Sequence, residues 1–428
     1  MRAYVVVVGG GVMGTAIALE LARRLDPIEQ PVLLLERREL AAGSSGRSGA
    51  ILRQHYSSPQ VAGMARDSLR VWSGFEGATG YSVGFRRTGV LTLAGPSQPA
   101  GVERVRRNVA MLRSIGVDTR LVEGEELRRL MPGIAIAPDT VAAWEPGGGF
   151  VDPRRAVEAF AALARFHGAT LRTGVEVTGF VFRHGHLTGV ESSEGTVDCE
   201  RAVVAAGPWT GRLLARADVH LPLTVVRPRQ HFLAILPAPS GAVVSRTLEP
   251  APAASPFDEA ALHALGAEER PARAAHPVLL DIEQGFYARC EPEGGRTRVG
   301  ELDYSGCDPL DDPDGLDEHV DPAFVRWARA ALSRRLPAYA RQPDAGSLAA
   351  WYTLSPDAQP LLGPLPGHPG LFIAAGFSGH GFKLAPSIGE GIARGLLGQP
   401  PGTYDAAFFA PERFALRGRG APTGAFGL

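Results

Sequence analysis

Apolar positions along this chain follow two alternating rhythms. Tyr4 to Val8 is an unbroken apolar run rich in β-branched residues, the pattern of a strand buried on both faces of a parallel sheet. From Val12 the spacing changes, and Ala16, Leu19 and Ala22 recur at helical intervals. A second apolar run, Val32 to Leu35, ends on Glu36. The alternation then returns twice. In FVDPRRAVEAF, Asp152 predicts a helix cap with a strand to follow, and Cys199 to Leu214 reads as a buried strand entering a glycine turn. Near the end, a strand over Leu371–Ala375 leads into a glycine turn and a helix over Ala385–Leu397.

Other patterns lie between these units. They predict a strand over Gly89–Ala94, a charged helix over Glu103–Ile115, and alternating strands over Gln230–Leu236, Gly285–Arg289 and Arg296–Gly300. Ser240–Pro277 is rich in Ala and Pro and reads as a surface excursion, and the tail beyond Leu416 reads as frayed. The arrangement predicts one α/β domain built from three separated pieces, residues 1–85, 146–222 and 341–400. A sheet-rich domain is inserted twice, as residues 86–145 and 223–340, and residues 401–428 form a C-terminal tail.

Composition narrows the possibilities. A chain of 428 residues exceeds one ordinary core, which agrees with two domains. A net charge of −1 leaves no basic footprint for nucleic acid. Cys199, Cys290 and Cys307 are odd in number and form no CxxC pair, so a reduced, cytoplasmic chain is expected. No apolar run reaches the roughly 18 residues of a membrane span, and no leader is expected before the first strand. None of the 11 histidines stands at ligand spacing, so no metal is expected.

The chemistry begins at Gly9, Gly11 and Gly14, a G-x-G-x-x-G with Val12 and Met13 inside it. The first glycine allows a tight turn, the second admits a pyrophosphate to the backbone, and the third lets helix pack on strand. Glu36, with Arg37 beside it, ends the second strand where a carboxylate would hold ribose hydroxyls. The motif points to a dinucleotide and leaves NAD and FAD both open. Ser44, Ser45, Arg47 and Ser48 follow in a Gly/Ser-rich stretch able to donate to a phosphate or sugar chain, or to serve as a surface loop. Lys383, in GFSGHGFKLAP, is the one lysine among 44 lysine and arginine residues. It is either an accident of composition or a place where a compact ammonium is needed and a guanidinium fork does not serve.

VVGGGVMGTAIALELA, GSSGRSGAILRQHY, AVVAAGPWT and AAGFSGHGFKLAPSIGE together resemble the D-amino-acid-oxidase-like flavoenzymes, in particular the sarcosine oxidase branch and its dehydrogenase relatives. The resemblance covers nearly the whole chain. It implies FAD rather than NAD, in a Rossmann-like FAD-binding α/β domain with an inserted mixed or antiparallel β-sheet domain for substrate. It implies that the glycine loop and Glu36 hold pyrophosphate and ribose, and that Ser45, Arg47 and Ser48 lie near phosphates or flavin. Val177 matches the position beside adenine, and Ala206, Gly207 and Trp209 match a loop near the ribityl chain and ring. Gly376, Phe377, Ser378, Gly379, His380, Gly381, Phe382 and Lys383 match the turn under the flavin pyrimidine edge.

Arg53 and Lys383 match the pair that grips the substrate carboxylate, and Tyr287 and Tyr352 match aromatic positions lining the substrate cavity. His380 is either a catalytic ring or a turn residue. Two departures stand out. Ala349 and Ala350 occupy the place of a flavin-tethering cysteine, and VDPRRAVEAF lacks a histidine that tethers a second flavin, so one non-covalent FAD is expected. Arg298 replaces a lysine that oxidases place over flavin N5, which sets fast oxygen reduction in doubt. The implied reaction is hydride transfer to flavin N5 from a secondary-amine amino acid such as sarcosine, or another N-methyl or cyclic imino acid. Formaldehyde and glycine would follow from sarcosine, with molecular oxygen converted to hydrogen peroxide. The alternative is a dehydrogenase of proline, hydroxyproline or dimethylglycine with a different electron acceptor.

Overall fold

The computed structural model describes residues 1–236, 276–304, 306–307 and 309–414. Most of the expected Ser240–Pro277 excursion and the tail beyond residue 414 lie outside them.

Six strands form the first sheet, in the order Leu361–Pro364, Leu371–Ala375, Arg201–Val204, Val5–Val8, Val32–Glu36 and Thr170–Thr173. All neighbours run parallel except the edge strand Leu361–Pro364. Val5–Val8 sits in the middle with both faces covered, which is what its four β-branched residues suit. The two-residue period of a strand divides the valines between two cores. Val5 and Val7 join the cluster under the helices Val12–Ala22, Pro153–Phe166 and Gly381–Leu396. Val6 and Val8 join the cluster under an antiparallel three-stranded sheet, Val177–Arg183, His186–Ser192 and Gly195–Asp198.

The second sheet has eight strands, in the order Asp344–Ala349, Arg229–Ala234, Arg296–Glu301, Phe286–Glu291, Val278–Asp281, Val90–Ala94, Val141–Glu145 and Arg120–Glu123. Only Val278–Asp281 and Val90–Ala94 pair in parallel. The helix Pro322–Arg335 packs against this sheet in a separate apolar cluster. The sheet is therefore mixed, as the resemblance implies, and the whole is α/β, as the sequence pattern predicts. Among the helices that go beyond that pattern, the longest are Pro59–Thr79 and Pro322–Arg335.

The helix Gly381–Leu396 corrects the sequence reading. It begins at Gly381, not Ala385, and so includes Lys383 in its first turn. Pro386 suggests a helix start, yet it lies inside the helix and has no N–H for the carbonyl of Phe382. Helix Pro59–Thr79 braces this region. Trp72 Nε1 donates to the Lys383 carbonyl at 3.1 Å, and the Ser387 amide donates to Ser68 Oγ at 3.2 Å.

Among the described residues, no helix is long and apolar enough to cross a membrane.

Candidate active site

The parallel strands end side by side, and the chemistry-bearing residues follow their carboxyl ends. Gly9 follows Val8, Glu36 closes its own strand, Ala206 to Trp209 follow Val204, and Gly376 follows Ala375. The loops leave a cavity of about 370 Å³ between them. Gly9 has φ +111°, and a Cβ there would stand 2.5 Å from the Ala205 carbonyl oxygen. A Cβ on Gly14 would stand 1.9 Å from the Gly9 carbonyl oxygen, so only glycine lets the helix approach its strand. Ser45 Oγ accepts from the Val12 amide at 3.0 Å, at the amino end of the helix. The Glu36 carboxylate accepts from the Gly10 amide at 2.7 Å and the Arg38 amide at 2.8 Å. Each of its oxygens keeps a second acceptor site on the cavity wall.

Of the residues expected around a cofactor, all but Gly14, Arg47, His380 and Lys383 line this cavity. Gly14 lies beneath it against Gly9. Arg47 turns away, donating to the Ala349 carbonyl at 2.9 Å, pairing with Glu318 and stacking on Trp351. His380 is fully buried just before the helix Gly381–Leu396, and its Nε2 faces the Ala358 carbonyl at 2.7 Å. Burial, with Lys383 nearby, pushes its pKa down to about 3, so the ring is neutral. It lines neither this cavity nor the next.

A second, smaller cavity of about 40 Å³ adjoins the first, sharing Ser48, Tyr352, Gly379 and Phe382 with it. Arg53, Lys383 and Tyr287 reach it along with apolar Ile51, Leu280 and Leu302. Thus the two sequence-nominated cations, far apart in the chain, meet at one small hole. Lys383 is only 7% exposed. Burial first, and then Arg53, hold its pKa well below the usual lysine value, while Glu145 opposes them. Arg53 also lies over the Tyr56 ring, 4.1 Å from its centre. Burial pushes the phenols of Tyr287 and Tyr352 upward, so both stay protonated and able to donate.

Arg298 is buried behind Tyr287 and lines neither cavity. It donates to Glu291 at 2.6 Å, to the Arg47 carbonyl at 2.9 Å, and to Gln230. Gly49 lies beside both side chains with room to spare. A Cβ there would stand 3.7 Å from the Tyr287 ring and 3.8 Å from the Arg298 side chain.

Two acidic groups of this region carry no mark in the sequence. Glu145 is fully buried beside Arg53, in a stretch, WEPGGG, that signals only a turn. Asp314 belongs to an acidic run, DDPDGLDEH, which crosses to the rim of the large cavity. It accepts from Trp209 Nε1 at 3.0 Å, from Arg212 at 2.7 Å and from Arg37. The hydrogen bond from Arg37, with further donors around it, holds the Asp314 carboxyl well below its usual range. Asp312 takes a second bond from Arg212 at 3.1 Å, and the Pro313 carbonyl accepts from Trp351 Nε1 at 2.9 Å.

Residues 4–394 match the family described as FAD dependent oxidoreductase (DAO). The chain is 28% identical to 4-methylaminobutanoate oxidase (formaldehyde-forming) of Paenarthrobacter nicotinovorans over 96% of its own length but 45% of that protein's, so it spans about half of that relative. It is 28% identical to mouse peroxisomal sarcosine oxidase over 96% of both chains. The crystal structure of L-proline dehydrogenase from P. horikoshii superposes with a TM-score of 0.80 at 25% identity, covering 97% of this chain and 98% of the other.

Proposed function

The chain belongs to the DAO family of FAD-dependent oxidoreductases, and we propose that it oxidises a small secondary-amine amino acid, an N-methyl or cyclic imino acid such as sarcosine or proline. In this reading residues 1–85, 146–222 and 341–400 hold FAD without a covalent bond, and residues 86–145 and 223–340 cover the substrate. The observation that carries it is the small cavity with two cations at its wall, opening onto the large one.

The large cavity suits FAD. Its glycine loop stands at the amino end of the helix Val12–Ala22, where free N–H groups and the helix dipole favour a pyrophosphate. Glu36 keeps acceptor capacity for ribose hydroxyls, and the loop Ala206–Trp209 with the turn Gly376–Phe382 would flank the ring end. When bound, FAD supplies a two-electron acceptor for the C–H bond next to the amine nitrogen.

The chain's own residues do the rest. Arg53 and Lys383 hold the substrate carboxylate by charge-assisted hydrogen bonds. The same cations lower the proton affinity of the amine, which must be neutral to react. Ile51, Leu280 and Leu302 keep water from the reacting carbon. Protonated Tyr287 and Tyr352 donate hydrogen bonds without adding charge. Backbone N–H groups at the start of helix Gly381–Leu396 face the end of the large cavity where negative charge would develop. Sarcosine would give glycine and formaldehyde.

For the electrons there are two outlets. The sarcosine oxidase relative supports oxygen as acceptor, with hydrogen peroxide formed. One observation favours a dehydrogenase with another acceptor: Arg298 is tied on three sides by Glu291, Gln230 and the Arg47 carbonyl, and does not reach either cavity. The test is the visible spectrum of the purified chain while sarcosine, then proline, is added in air. Bleaching with continuing peroxide means an oxidase. Bleaching that persists until an artificial acceptor is added means a dehydrogenase. A yellow protein that neither compound bleaches overturns the substrate class.

A further inference from the structure

Glu145 ends the strand Val141–Glu145 of the second sheet and is fully buried. Its carboxylate accepts one backbone amide on each oxygen, Gln54 at 2.5 Å and His55 at 3.0 Å. Those amides directly follow Arg53. The chain segment that carries Arg53 to the small cavity is therefore anchored on this one side chain. Glu145 also acts electrostatically on both cations of that cavity, Arg53 and Lys383. A buried carboxylate that touches neither cavity, yet organises one cation and faces both, has no role in the reaction as described so far.

We propose that Glu145 is a positioning residue that fixes Arg53 and sets how much positive charge the small cavity offers to an anion. This rests on reading that cavity as a carboxylate site. Ionised, Glu145 offsets part of the field of Arg53 and Lys383 and weakens the hold on a carboxylate. Protonated, it leaves that field whole and still accepts both amides through remaining lone pairs. An arriving carboxylate favours the protonated form, so binding draws a proton onto Glu145.

The surroundings allow this near neutral pH. Burial pushes the Glu145 pKa up to about 7, against the pull of the Gln54 and His55 amides and of Arg53. The other groups facing it come from two elements. Arg53, His55 and Tyr56 follow the strand Ile51–Leu52, and Lys383 stands on the helix Gly381–Leu396. Behind His55 lies Arg104 of the helix Pro99–Ser114. His55 is held down to about 3 and Tyr56 up to about 12, so neither changes charge between pH 6 and 8. Glu145 also holds up the Lys383 pKa, so the comparison of wild type with Glu145→Gln is repeated in a Lys383→Met background, where Arg53 alone supplies the charge.

The experiment uses the FAD-loaded chain with pyrrole-2-carboxylate, a flat anion that cannot be oxidised as an amine, and its neutral twin pyrrole-2-carboxamide. Dissociation constants are read from the shift of the flavin spectrum. The ratio of amide to acid constants isolates charge from shape. At pH 8 the ratio in Glu145→Gln is expected to exceed wild type by about tenfold. At pH 6, where wild-type Glu145 is protonated, the two should agree within about twofold. An equal ratio at pH 8, with cofactor retained and melting temperature intact, overturns the proposal. Should the variant not fold, infrared difference spectra of the wild type decide. Acid binding at pH 8 must produce the C=O stretch of a protonated carboxyl, and amide binding must not; no such band overturns the proposal. Failure of the acid to bind wild type at any pH would instead remove the carboxylate site itself, and this inference with it.

Discussion

Replacing Lys383 by methionine tests the substrate reading most directly. The change keeps length and apolar bulk and removes one charge. A hydrogen bond to a charged partner contributes about 1.5–3 kcal/mol. Loss of one such bond to the substrate carboxylate should therefore lower kcat/KM by about 10- to 150-fold. The folded protein should not suffer, because Lys383 is buried and its pKa is held well below the usual value. The sign of the pH effect follows. Below the lowered folded-state pKa the ammonium is charged in both states, and wild type bears the full cost of burying it. From there up to the unfolded value of about 10.4, the unfolded chain binds the proton and the folded chain does not, so wild-type stability rises with pH. The methionine variant lacks this slope. Its advantage over wild type should be greatest on the acid side and shrink as pH climbs. Steady-state kinetics with sarcosine or proline, with thermal melts across the pH range, checks both. A variant within about twofold of wild type in kcat/KM refutes the carboxylate role. A parallel fall in activity and melting temperature at neutral pH refutes the argument that the charge is a burden to the fold.

Other expectations follow from single contacts. Lys383→Arg keeps the charge but needs room that a 40 Å³ cavity does not give, so it should recover little of the activity lost in the methionine variant. Gly14→Ala would set a Cβ 1.9 Å from the Gly9 carbonyl oxygen, and should yield protein that is destabilised by a few kcal/mol and free of flavin; full flavin content at purification would contradict the packing argument. Glu36→Ala strips two backbone amides of their acceptor and the cofactor of its ribose partner, and should weaken FAD binding by at least tenfold in a titration of apoprotein. Asp314→Asn should speed flavin loss in a dilution assay without changing KM, because Asp314 touches the rim of the large cavity and not the small one.

Much of this is open to a reader of the sequence, for identifiable reasons. The Val5–Val8 strand, the glycine turn and Glu36 are local signals, each set by residues within one βαβ unit. Arg53 and Lys383 can be nominated by resemblance, but their meeting is a matter of topology that no local pattern carries. The helices Pro59–Thr79 and Pro322–Arg335 carry a legible signal that the apolar pattern alone passes over. Each opens with a cap and proline, Ser58-Pro59 and Asp321-Pro322, the same device that marks Asp152-Pro153. The start of the helix Gly381–Leu396 is easily misplaced because proline usually marks a beginning, and here Trp72 and Ser68 brace a proline inside it. Glu145 is invisible for a different reason. A buried carboxylate looks like any surface glutamate until the strand that ends on it is placed behind Arg53.

The acidic run around Asp314 bears on time as well as on strength. It joins the rim of the large cavity through Arg37, Trp209, Arg212 and Trp351, residues from three distant parts of the chain. None of these ties is strong alone, yet a molecule in the cavity could leave past this rim only when several open together. Residence is then governed by a rare concerted event, and can be long even where equilibrium affinity is ordinary. The same knot bears on assembly: a cofactor that reaches the folded apoprotein enters past ties that must first open, so rebinding should be slow where binding is tight.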